Sequence, residues 1–155
     1  MKRIFAAMVS LQVLAGPVHA QKRATLASLV PIAEVIVVAQ ISDTDYSRTP
    51  ADGPMTAHAK VLSVVKGRLR RDQSFTFTET AWVGPGYKTG EVRILFVESA
   101  APNSWRILSN LYAKGDFFID RDAIPHLNVN SLKSFLQTLP APASRSVLIT
   151  RDMLQ

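Results

Sequence analysis

Between Met55 and Val65 the apolar residues keep step with a strand and then slip by one. Met55, Ala57, Ala59 and Val61 share one parity, while Thr56, His58 and Lys60 take the other. At Leu62 the apolar parity flips, with Leu62 and Val64 flanking Ser63. A period of two marks a strand with one face in a core. One residue out of step is what a β-bulge produces, and bulges bend strands around barrel corners. The feature predicts a small curved sheet.

The neighbouring segments supply more strands. Val35 to Ile41 is a β-branched run with little alternation, as expected of a strand buried on both faces. Ser42 to Pro54, with three Asp, two Pro and a Gly, is a loop. Lys66 to Asp72 forms a polar turn around Gly67, and Ser74 to Thr78 alternates cleanly, completing a hairpin with the preceding strand. Val92–Val97, Trp105–Leu108 and the shorter Phe117–Ile119 follow. Leu26, Leu29 and Val30 suit a short N-terminal helix ended by Pro31. Leu132, Phe135, Leu136 and Leu139 give a C-terminal amphipathic helix, with Asn130 as N-cap and Pro140 as stop, whose apolar face belongs in the core. Five or six short strands in an open sandwich would leave long unpaired edges, which closure removes. The expected fold is mainly β: a five- to six-stranded Greek-key barrel, OB-fold-like, with the two helices against it.

The first twenty residues read as a secretory signal. Lys2 and Arg3 precede the apolar run Ile4–Leu14, and Gly16-Pro17 leads to Val18-His19-Ala20. Cleavage is expected between Ala20 and Gln21. The apolar run is about half the roughly 20 residues that a membrane-spanning helix needs, so no transmembrane anchor is expected. Residues 21–139 then form one domain and 140–155 a loose tail, in which Val147 to Thr150 either adds a strand or stays unordered. Losing Lys2 and Arg3 lowers the net charge from +6 to +4, with 16 basic residues against 12 acidic. That mild excess is no nucleic-acid signature. The chain has no cysteine, which excludes disulfides, thiol nucleophiles, zinc–thiolate sites and a lipid-modified N-terminal cysteine. Packing alone must hold an exported, periplasmic or secreted, domain together.

Three segments carry a resemblance: Ala33 to Ile41, Ala59 to Gly67 and Gly90 to Val97. Over about residues 26–120 the chain resembles small exported bacterial proteins with a TIMP-like, or netrin-module-like, OB-fold. The inhibitors that name this fold chelate a protease's zinc through an amino-terminal cysteine. This chain lacks one, so the resemblance implies the fold and not the inhibitory chemistry.

The chemical inventory is thin. There is no Gly-x-Ser-x-Gly elbow and no phosphate-cradling glycine loop. His58 lies on the polar face of its strand, and Asp43, Asp45 and Asp52 lack the ligand spacing of a calcium loop. No catalytic residue, cofactor or metal is assigned. Two loops stand out as candidate binding sites. Lys66, Arg68, Arg70 and Arg71 put four cations on one turn, either an anion contact or a solvated tip. Trp82 and Tyr87 share a glycine-rich loop, either a sugar- or partner-binding surface or a barrel plug. The leading expectation is a non-catalytic extracytoplasmic module binding an envelope or secreted protein. The alternative is a domain binding a cell-envelope glycan or lipid, and the third is a hydrolase without a recognisable motif.

Overall fold

The computed structural model describes residues 26–45, 54–79, 86–110, 113–139 and 147–155. The expected signal segment with its Ala20–Gln21 junction, most of the 42–54 loop, Trp82 and the 140–146 segment lie outside the described residues.

A 3₁₀ turn, Leu26–Ser28, leads into the four-residue helix α1, Leu29–Ile32. Pro31 lies inside α1 instead of ending it. It occupies the first turn, where a helix has no use for the missing N–H. Strand β1, Val35–Thr44, is buried on both faces as its composition predicts. Val35, Val37, Ala39 and Ile41 point into one apolar cluster and Ile36 and Val38 into another. β2, Met55–Lys66, and β3, Ser74–Glu79, form the expected antiparallel hairpin. β4, Val92–Ala101, turns tightly into β5, Ser104–Ile107.

These five strands close on themselves in the order β1-β2-β3-β5-β4 and back to β1. All pairings are antiparallel except that of β3 with β5. This is the small Greek-key barrel anticipated, and its strand order is OB-fold-like. The parity flip has the expected cause. The β1–β2 register runs Val38↔Ser63 and then Ala39↔Val61, so Leu62 is the extra residue, and a second slip skips Val65. The bulges send Leu62 and Val65 outward and Val64 inward, so Leu62 and Val64 do not share a face as their spacing implied.

Past β5 the chain makes a small hairpin, β6 (Ser109–Asn110) with β7 (Ala113–Lys114), and returns as β8, Asp116–Ile119. β8 pairs with Arg93–Leu95 of β4, on the edge whose other half, from Val97 to Ala101, β5 has taken. Phe96 marks the handover: its N–H donates to Gly115 O, and its carbonyl accepts from Leu108 N–H, both at 2.8 Å. Gly115 is fitted so closely that a Cβ there would come within 2.7 Å of the Phe96 Cβ and 2.8 Å of Leu108 O.

The outer cluster lies beneath α1, a 3₁₀ segment (Arg121–His126) and the helix α2, Val129–Thr138. Leu132, Phe135 and Leu136 are buried there, as the spacing predicted. The N-cap is Asn128, not Asn130. Its side chain accepts the N–H groups of Asn130 and Ser131, and Ser131 Oγ answers Asn128 N–H in a reciprocal box. A serine can close that box, so the helix starts earlier than the apolar spacing indicates.

The expected loose tail needs correction. β9, Leu148–Ile149, adds to β8 in parallel, Ile149 is fully buried, and Leu154 packs in the outer cluster. Residues 147–155 belong to the domain because β8 offers an unpaired edge and the outer cluster an apolar seat.

Candidate functional site

The described parts of the two loops singled out from sequence lie at opposite ends of the barrel. The 66–73 turn joins the end of β2 to the start of β3, whereas residues 86–91 lead into the start of β4. The ten residues of β4, about 30 Å of strand, separate that second loop from the β4–β5 turn beside the first. Among the described residues no single surface unites them.

The aromatic loop turns inward at its described residue. Tyr87 is 1% exposed and meets Phe77 edge-on, with ring centroids 5.1 Å apart. Beside it the barrel holds a buried ionic group. Arg93 stands on the inner face of β4, in step with Leu95 and Val97. Its guanidinium pairs with Glu91 at 2.8 Å and Asp116 at 3.2 Å, and lies over the rings of Phe118 and Tyr87 at 3.8 and 5.0 Å. Asp116 is 2% exposed, and its Oδ1 has no hydrogen-bond partner among the described residues. Sequence reading missed this cluster; its one signal was an arginine inside an apolar strand run.

The basic turn divides into two roles. Lys66 points back across the domain, where its Nζ donates to the carbonyls of Val30, Pro31 and Ala33 at 3.0, 3.0 and 2.6 Å. These are carbonyls at the end of α1 that lack helical partners, and a lysine supplies both donors and favourable charge there. Lys66 thus ties β2 to α1. Lys66→Met, which keeps the stem and removes the donors, is expected to lower stability by about 2 kcal/mol, read as a lower urea midpoint with an unchanged slope.

Arg68, Arg70 and Arg71 are exposed and form no ion pair among the described residues. Asp72, the acid on the same turn, is held by Lys60 at 3.0 Å; that hydrogen bond and charge, and to a lesser degree Arg71, lower its pKa. Arg68 lies over the Trp105 ring, 5.1 Å from its centroid. Between this turn and the β4–β5 turn opens a cleft of about 510 Å³. Leu69, Phe75 and Trp105, all nearly buried, contribute its apolar part. Gln73, Ser74, Ser99 and Asn103 contribute neutral polar groups, and among the described residues Arg68 is the sole charged one lining it.

Trp105 and Asn103 were not legible as site residues. The parallel β3–β5 pairing, Phe77↔Trp105, brings them beside the 66–73 turn, and nothing local in sequence announces a parallel closure. His58 is exposed on β2 and bonded to Thr76 across the strand pair at 2.9 Å. Among the described residues no group of three or more His, Asp or Glu is gathered as for a metal, and no helix is long and apolar enough to cross a membrane. No protein-family model matches the chain, and no curated protein matches it.

Proposed function

We propose that the protein is a non-catalytic binding module of the exported kind. In this reading it contacts an envelope or secreted protein through the barrel end that carries Arg68 at the cleft and Arg70 and Arg71 on the same turn. The observation that carries the reading is Arg68 stacked on Trp105 at the cleft, with a neutral polar wall and an apolar floor. Interface centres favour such arginine–aromatic pairs, with polar groups around them. The OB-fold-like strand order supports, in addition, a relation to the TIMP-like exported proteins over residues 26–120, in fold and without zinc chelation.

The glycan reading draws less support from the described residues. Sugar binding by stacking asks for an open aromatic face. Tyr87 is buried, and Trp105 is 5% exposed with Arg68 laid over it.

Cross-linking the purified protein to envelope fractions tests the proposal. One partner protein is expected to be captured by the unaltered chain and lost when Arg68, Arg70 and Arg71 are all changed to alanine. Undiminished capture by the triple variant rejects this surface. Envelope polysaccharide bound in place of any protein rejects the class of partner.

A further inference from the structure

Arg68 offers five N–H donors in a planar fork, and none meets an acceptor among the described residues. A guanidinium resting on an indole is partly fixed in direction, and its fork matches a two-oxygen anion. Below it, Leu69, Phe75 and Trp105 give an apolar floor; beside it, Gln73 and Asn103 give neutral hydrogen-bonding groups. Among the described residues no carboxylate lines the cleft. Its volume, about 510 Å³, lies within the usual range of ligand sites.

Resting on the reading of this end as the contact surface, we infer that the partner presents an acidic peptide segment. Arg68 takes both oxygens of one Asp or Glu carboxylate, and an apolar side chain next to it enters the cleft. Arg70 and Arg71, exposed on the same turn, draw in further acidic residues. Competing anions fit less of what is present. Single-stranded nucleic acid stacks its bases on uncovered aromatic faces, and Arg68 covers that of Trp105. Anionic lipid surfaces are held by clusters of about four to eight cations. Here three remain, because Lys66 is engaged with backbone carbonyls. Neither competitor uses the apolar floor.

Selection from a random peptide pool by the purified protein tests the inference. The enriched peptides are expected to carry Asp or Glu beside a large apolar residue. Exchanging that acid for its amide should weaken binding at least about tenfold, as should Arg68→Gln in the protein. Arg68→Lys should fail to restore it, since an ammonium does not offer the planar fork. Circular dichroism and the urea midpoint check that the Arg68 variants stay folded. Four results overturn the inference: no enrichment, enrichment without acids, equal binding by Arg68→Gln, or Arg68-dependent binding to phosphatidylglycerol vesicles or an anionic polysaccharide in place of peptides. If the triple alanine variant loses its cross-linked partner while the selected peptides carry no acid, the contact surface stands and the carboxylate falls.

Discussion

Arg93→Met is expected to lower the stability of the fold by about 3–5 kcal/mol, the usual loss when one partner of a buried ion pair is removed. The magnitude follows from what stays behind. Asp116 is 2% exposed, its Oδ2 is held by Arg93, and its Oδ1 has no hydrogen-bond partner among the described residues. Without the guanidinium the carboxylate is left in the protein with neither water nor counter-charge. Glu91 is 20% exposed and can turn to solvent, so its share of the loss is smaller. The lost stacking on Tyr87 and Phe118 adds to the effect, and the methionine stem restores part of the packing. Urea unfolding measures the loss. The double variant Arg93→Met with Asp116→Leu should recover a substantial part of it, because an apolar pair of similar volume carries no desolvation penalty. An Arg93→Met midpoint within error of the unaltered protein would show that Asp116 has another partner.

Gly67→Ala is expected to cost about 4 kcal/mol, for two separable reasons. Gly67 has φ +99°, a conformation strained for any residue with a side chain by about 1–3 kcal/mol. Its Cα also faces the start of β1, where an added Cβ would lie 2.5 Å from Glu34 O and 2.9 Å from Val35 Cα. Both are backbone atoms, so relief requires moving the strand, at about 1–3 kcal/mol more. Gly90 is the internal control. It has φ +90° and nothing within 4 Å of the added atom, so Gly90→Ala should show the conformational part alone. Equal losses at the two positions, by thermal or urea unfolding, would refute the steric account.

Much of the barrel was legible because its strands are locally patterned. The unbroken apolar run of β1 announced two covered faces, and the slip at Leu62 announced a bulge where one is found. The face of α2 was legible for the same reason. What stayed hidden depends on contacts between residues distant in sequence. The parallel pairing of β3 with β5 created the cleft, and the sharing of the β4 edge placed Asp116 beside Arg93. Lys66 shows the limit most clearly. As one of four cations on a turn it has the composition of an anion site, yet its long stem reaches carbonyls more than thirty residues earlier. Composition counted the charge, whereas geometry decided whom it serves. The cap at Asn128 escaped because its partner is Ser131, not the glutamate or glutamine that usually marks such a box.

Two strands, β1 and β4, line the barrel with one side and face the helical layer with the other. Neither layer therefore has a private wall. Peeling away the helical cover would bare Ile36, Val38, Ile94 and Phe96, and opening the barrel would deprive the cover of its support. The molecule is thereby expected to unfold as one cooperative unit, with coincident transitions by different probes. Arg68, Arg70 and Arg71, exposed on the turn after β2 and outside both clusters, are the places where sequence can drift and new contacts be tried without loosening the whole.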